Sequence, residues 1–394
     1  MLKGENIICF SSKDWVGFSR TSKEYLMEIL SRQNRVLYVE TMGSRNPGMR
    51  KKDLGRILKR LLKASKGPVR PAGIAPEQQL FIYSPLLIPF HENPWARKIN
   101  DWILKATFRA LIKKLKLEKP VLWFYLPTAS GLIGQLDEKA VIYHLVDKWA
   151  TYPGFRGEFF RAADERLLRH ADLVVVSNRL LLEENKELNK NIHYLPHGVN
   201  FQDFDKNPES RPLPEDIAKL PRPMIAMVGA VSNWTDWEKL RYAAGKHPDW
   251  SFVLIGDVGF DADVSKVAGI SNIHVLGKKD YTSLQDYYRG IDACVVSFLP
   301  TEHIKYCCPT RFYEHLAAGK PIVSTDFPAA REFPPELVRI GATNEEFCRA
   351  IEESLGLDSR ERMEKRKILA AENTWQNRAQ KLSELIQKCL QQKN

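Results

Sequence analysis

Cysteine is scarce in this chain. Six occur in 394 residues: Cys9, Cys294, Cys307, Cys308, Cys348 and Cys389. None forms a C-x-x-C pair, and no histidine cluster accompanies them in sequence, which argues against a zinc framework and a disulfide scaffold. Cys307 and Cys308 are adjacent and poorly placed to bridge each other. A reducing cytosol suits this usage. Long hydrophobic runs are missing as well, so a bilayer-spanning segment is not expected. The apolar run Ile7 to Phe10 is too short for a signal peptide, and Lys13 and Asp14 soon bring charge. Any membrane contact is expected to be peripheral. No short internal repeat is visible. Acid is nearly absent between residues 45 and 70, where Asp53 stands alone against ten lysines and arginines.

The residues that are present suit two α/β domains. Apolar residues make up 44% and charged residues 27% of a chain too long for one comfortable core. Net charge is +11 and concentrates in the first half. The first basic stretch runs from Arg45 to Arg70. A second contains Arg97, Lys98, Lys105, Arg109, Lys113, Lys114, Lys116 and Lys119, against Asp101 and Glu118. A one-sided basic surface suits an anionic partner, and the alternative is a solvated face. From Lys51 to Lys66, Leu54, Ile57, Leu58, Leu61 and Leu62 recur at helical spacing between the charges. That pattern predicts a helix resting on an anionic membrane.

Short apolar runs alternate with helical spacing along the whole chain, which is the βαβ rhythm of parallel sheets. Strands are expected at 7–10, 36–39, 80–83, 121–125, 141–146, 173–177 and 192–195. The proline-rich stretch 201–223 reads as a linker. The rhythm restarts with strands at 224–228, 252–255, 273–276, 293–297 and 321–324. Three of these end in Gly229, Gly256 and Gly277, where glycine permits tight turns or close backbone approach. The expected fold is two doubly wound, Rossmann-like domains facing each other across a cleft. The first covers 1–200 and the second 224–372. A helix over 373–394 is expected to pack back on the first domain.

One segment is the most informative: Cys308-Pro-Thr-Arg-Phe-Tyr-Glu-His-Leu-Ala-Ala-Gly-Lys-Pro-Ile-Val-Ser-Thr325. Pro309 and Thr310 suit a helix start, and Gly319 with Pro321 suits its end. Free amides at such a start can hold an anion such as a pyrophosphate. Arg311 would add a fork of donors. Glu314, on the same face, can accept hydrogen bonds from vicinal ribose hydroxyls. The alternative is an ordinary surface ion pair.

This segment resembles the nucleotide-binding motif of GT-B glycosyltransferases, group-4-like. Among these it resembles the bacterial cell-surface polysaccharide members, including the teichuronic-acid type. The likeness is carried further by Ile-Ile-Cys-Phe-Ser-Ser-Lys-Asp-Trp at 7–15, Arg-Val-Leu-Tyr-Val-Glu at 35–40, Ala-Asp-Leu-Val-Val-Val-Ser at 171–177 and His-Tyr-Leu-Pro-His-Gly-Val-Asn at 193–200. Val-Leu-Gly at 275–277, with Leu284 and Tyr288 downstream, adds to it. The resemblance implies that Glu314 binds the donor ribose and that Thr310 and Arg311 meet the diphosphate. It also implies that Lys278 to Tyr281 lie beside the base, and that Gly229 ends the first strand of the donor domain. Many retaining members carry a second acid eight residues before the ribose glutamate. Here that residue is Tyr306, and Glu302 is too far upstream by spacing. No DxD-like metal motif is evident, so no metal cofactor is expected.

In the first half, Val141 to Asp147 reads as a strand ending in an acid. Asp147 is the candidate base for an acceptor hydroxyl, or else a helix cap. Asp14 and Trp15 are candidate acceptor contacts. His144 reads as a packed strand residue. The function this implies is transfer of a sugar from a nucleotide sugar to a saccharide or lipid-linked saccharide in surface polysaccharide synthesis, at the inner face of the cell membrane. The competing readings are a nucleotide-sugar epimerase, a basic membrane- or nucleic-acid-binding protein, and a scaffold with a dead donor site. No nucleic-acid recognition motif is present, and no aromatic platform is interleaved with the lysines.

Overall fold

A computed structural model describes residues 1–15, 20–41, 63–88, 93–152, 157–205 and 211–393. The chain divides into two compact units. Met1–Pro196 with Gln376–Asn394 forms the first, and His197–Trp375 forms the second.

The first unit contains strands β1 (Asn6–Phe10), β2 (Arg35–Val39), β3 (Gln79–Tyr83), β4 (Val121–Phe124), β5 (Ala140–Leu145), β6 (Leu173–Val176) and β7 (Ile192–Tyr194). They pair in the order β3-β2-β1-β4-β5-β6-β7. Every pair is parallel, with Ile7 opposite both Val36 and Val121. β4, β5 and β6 are buried at every residue. A strand covered on both faces reads as a continuous apolar run, and that is what the sequence shows at these places. Its described helices include α1 (Ser22–Ser31), α2 (Pro94–Leu115), α3 (Glu158–His170) and α4 (Arg179–Asn185).

The second unit contains β8 (Met224–Val228), β9 (Ser251–Ile255), β10 (Ile273–Gly277), β11 (Ala293–Val296), β12 (Ile322–Ser324) and β13 (Val338–Ile340). Their order is β10-β9-β8-β11-β12-β13, again all parallel. Successive residues of β8 divide between two cores. Ile225 and Met227 pack on one side, and Met224, Ala226 and Val228 on the other. This sheet is therefore covered on both faces. Its helices are α5 (Gln202–Asp205), α6 (Glu215–Ala218), α7 (Trp237–Lys246), α8 (Leu284–Gly290), α9 (Glu302–Lys305), α10 (Arg311–Ala317), α11 (Asn344–Gly356) and α12 (Arg360–Glu372).

The last helix, α13 (Trp375–Lys393), begins in the second unit and continues in the first. Leu382 and Ile386 are fully buried, each contributing roughly 1.5–3 kcal/mol of apolar burial. Lys393 Nζ donates to Asp172 at 2.8 Å, and Ser383 Oγ lies 3.2 Å from the sulfur of Met1.

Several elements differ from the sequence reading, among them the stretch 201–223, which carries α5 and α6 and falls within the second unit. β13 is absent from that reading, because three residues give too little pattern. α2 figures there only as a basic stretch. Its exposed face carries tryptophan and isoleucine, so no single apolar side stands out. The helix expected over 51–66 falls almost entirely outside the described residues. In its described part Lys63 Nζ bonds Glu40 Oε2 at 2.8 Å and lies 3.5 Å from Asp14 Oδ2.

Candidate functional site

In an open parallel sheet, ligands bind beyond the carboxyl ends of the strands where the strand order reverses. In the second unit that point lies between β8 and β11. Gly229 follows β8 there, with φ +122°. A Cβ on Gly229 would come within 2.7 Å of Arg311 Nη2, so only glycine leaves room for the guanidinium. Gly256, after β9, is held as tightly. A Cβ there would lie 2.0 Å from the Gly229 carbonyl oxygen.

Arg311 opens α10 and is buried. Its Nη2 donates to the Ala230 carbonyl at 3.2 Å. Its guanidinium carbon sits 4.9 Å from the Phe298 ring centroid, just past β11. Nη1 is buried without any hydrogen-bond partner among the described residues. Burial pulls the Arg311 pKa below its usual range, which records the cost of a charge held away from water. No described residue compensates that donor, and an anion would.

Glu314 lies one turn deeper and is half-buried. Among the described residues no ion pair within 4 Å joins it to Arg311, so the surface-pair alternative does not describe this site. Burial pushes its carboxyl up to about 6, Arg311 opposing and Asp203 reinforcing the shift. His315 is buried beside them, its Nδ1 2.9 Å from the Tyr288 hydroxyl. Its pKa falls to about 3, chiefly through burial, so the ring is neutral. Its Nε2 has no partner among the described residues.

The helix start differs from the sequence expectation. The amides of Phe312, Tyr313 and Glu314 already bond the carbonyls of Pro309 and Thr310, at 3.4, 3.0 and 3.2 Å. These three are not free to cradle an anion; the Thr310 and Arg311 amides are not among them, and the Arg311 side chain adds its own donors. Thr310 is the cap residue, but its side chain makes no capping bond. Lys278 and Tyr281 follow β10, two strands from β8 in the sheet order. Lys278 is exposed and Tyr281 half-buried. Glu302 is exposed and pairs with Lys305 at 2.6 Å, while Tyr306 is buried.

In the first unit the strand order reverses between β1 and β4. The sequence Thr21-Ser-Lys-Glu24 forms a capping box at the start of α1, with the Thr21 amide donating to Glu24 Oε2 at 2.9 Å. This fixes Lys23 in the first turn. Lys23 is buried, its ammonium 5.3 Å from the Tyr125 ring centroid. Burial holds its pKa below the usual lysine range, against the fields of Asp147 and then Glu24. Asp147 itself is half-buried beyond β5. The short 3-10 turn after it is headed by Lys148, and α3 by Gly157, so Asp147 is the cap residue of neither. The loop after β1 is held by Glu40, which accepts from the Trp15 amide at 3.1 Å and from Lys63. Trp15 stands edge-on to Tyr38 at 5.0 Å. His144 is buried and stacks on Tyr125 at 4.7 Å, as a packed strand residue. Sequence reasoning did not single out Lys23, Glu24 and Glu40 as candidate site residues. The one available signal was the capping box, which carries Lys23 inside it.

Two clefts of about 550 and 650 Å³ are lined by none of these residues. One group of potential metal ligands occurs among the described residues: His247, Cys348 and Glu352, whose ligand atoms lie within 4.8 Å of one another. Burial pushes the Cys348 thiol up to about 11, and His247 Nε2 lies 2.8 Å from Glu352 Oε1.

Residues 223–356, which contain the Gly229–Arg311–Glu314 arrangement, match the family model described as glycosyl transferases group 1. The whole chain superposes on glycosyltransferase structures of GT-B architecture. This chain has the GT-B fold, with a group 1 glycosyltransferase domain over residues 223–356. One such structure is the Anabaena protein HepE in complex with UDP and glucose, with TM-score 0.66 and 12% identity over 97% of this chain and 99% of that one. Another is an Escherichia coli trehalose-6-phosphate protein bound with UDP-2-fluoro glucose, with TM-score 0.68 and 12% identity over 98% and 99% of the two chains. A sequence relative is the putative teichuronic acid biosynthesis glycosyltransferase TuaH of Bacillus subtilis. It is 25% identical over 66% of this chain and 69% of its own length.

Proposed function

We propose that this glycosyltransferase takes its sugar from a nucleoside-diphosphate donor held by Gly229, Arg311 and Glu314, and passes it to a saccharide or lipid-linked saccharide in surface polysaccharide synthesis. The observation that carries the donor site is the buried, unpaired Nη1 of Arg311, packed under a glycine that only a missing side chain allows. A diphosphate supplies the oxygens this donor lacks, and negative charge building on the departing diphosphate is stabilised by the same fork. Glu314 accepts from the ribose hydroxyls. Thr310, Lys278 and Tyr281 complete the donor set. On the acceptor side Asp147 takes the hydroxyl proton, with Asp14 and Trp15 contacting the acceptor. None of these steps is assigned to a metal.

The enzyme works in the cytoplasm as a peripheral protein on the inner face of the membrane, where lipid-linked acceptors lie. Supporting this are the net charge of +11, its concentration in the first unit, and the teichuronic acid role named for the Bacillus relative. No described helix is long and apolar enough to cross a membrane. The test is incubation with a panel of nucleotide sugars, with and without lipid-linked saccharides, while nucleoside diphosphate release is followed. Release that requires an acceptor supports transfer. Sugar interconversion without an acceptor would instead support an epimerase.

A further inference from the structure

α2 carries apolar residues on two opposite faces. Ala96, Asn100, Leu104, Phe108 and Leu111 form the buried stripe toward the first unit's core. The opposite arc should be polar in a helix that only covers a sheet. Instead Trp95 is 74% exposed, Ile99 46% and Trp102 71%. Their spacing of four and three puts them on one line along the helix. The line continues through Ala106 to Arg109 and Lys113, both exposed. Lys98 stands beside it, its ammonium 5.3 Å from the Trp95 ring centroid. Over the whole helix, six basic residues face one acid, Asp101.

We propose that this outer face of α2 is the surface by which the enzyme docks on an anionic lipid bilayer. The inference rests on the peripheral association proposed above and names the element that makes it. Indole rings favour the headgroup boundary, where the ring body is dry and the N–H stays wet. Trp95, Ile99 and Trp102 enter that boundary. Arg109 and Lys113 carry the same line toward lipid phosphates, with Lys98 at the side. Two tryptophans exposed on one stripe are costly on a free surface and mark an interaction site. The charge selects the partner. A second copy would set one strongly basic helix against another, and the two would repel. A bilayer rich in anionic lipid offers both the apolar layer and the counter-charge.

The experiment is co-sedimentation of the full chain with vesicles of equal parts phosphatidylglycerol and phosphatidylcholine, and with vesicles of phosphatidylcholine alone. The wild type is expected to bind the anionic vesicles and to be released by salt. Trp95→Ser with Trp102→Ser should weaken that binding roughly tenfold or more. Arg109→Glu with Lys113→Glu should remove the preference for anionic vesicles. All four side chains are exposed, so the variants should fold, and unchanged nucleotide affinity confirms it. If the wild type binds and both double variants bind equally well, α2 is not the docking face and the association itself stands. If the wild type binds neither vesicle, the association fails as well. A shift from dimer to monomer in the tryptophan variant would overturn the assignment in favour of a contact between copies.

Discussion

Replacing Arg311 by methionine should separate fold stability from nucleotide affinity. In the ligand-free protein Arg311 is a buried cation with one orphaned donor, Nη1. Leaving such a donor unpaired costs about 1–3 kcal/mol. Against this stand one hydrogen bond to the Ala230 carbonyl and the contact with the Phe298 ring. These contribute about 1 kcal/mol each. Methionine keeps the volume and removes the charge, so the terms nearly cancel. The unliganded variant should lie within about 1 kcal/mol of wild type, as expected when a buried charge gives way to an apolar side chain. Binding should respond very differently. Each charge-assisted bond to a diphosphate is worth about 1.5–3 kcal/mol, so losing the fork should weaken binding at least about 100-fold. Arg311→Lys keeps the charge and loses the planar fork, so it should fall between. Denaturant unfolding of the unliganded protein measures the first effect. Calorimetry with UDP, and with other nucleoside diphosphates for comparison, measures the second. A variant destabilised by several kcal/mol that still binds nucleotide normally would refute the argument and make Arg311 a structural strut.

Four further outcomes are expected. Nucleotide affinity should rise with pH through about 6 as Glu314 ionises, and Glu314→Gln should flatten that rise and weaken binding about tenfold or more at pH 8. The stability effect of Glu314 has the opposite sign. An acid whose folded pKa is raised binds more protons folded than unfolded, so its stabilisation is present below the unfolded pKa. It is lost as pH rises through about 6, a change of about 2 kcal/mol that a pH series of unfolding curves would miss only if the carboxyl were fully solvated. Gly229→Ala should weaken nucleotide binding through Arg311, since the new methyl occupies the guanidinium's place and φ +122° disfavours alanine; unchanged calorimetric affinity would show that the loop yields freely. Asp147→Asn should abolish transfer with donor affinity nearly intact, and normal turnover would remove Asp147 from catalysis.

Local sequence dictates the parallel strands and much of the helical plan. Buried parallel strands must be apolar on both faces, so Val121 to Phe124 and Leu173 to Val176 announce themselves as short continuous runs. The capping and ending residues of α10 are equally local, and so is the Arg311–Glu314 spacing. Other features are not local. Gly229 and Arg311 are more than eighty residues apart, and only the return of the chain to the carboxyl end of β8 sets the guanidinium under that glycine. Lys23 looks like any surface lysine until α1 packs against the sheet and buries it beside Tyr125. The amides at the start of α10 all look free in sequence, but the tight turn through Pro309 and Thr310 takes up those of Phe312, Tyr313 and Glu314. α2 shows the same division. Its residues fix a helix with apolar groups all round, but which side faces the core depends on where the sheet lies. Burial is a property of the packed chain, so only the tertiary arrangement could leave Trp95 and Trp102 on the outside.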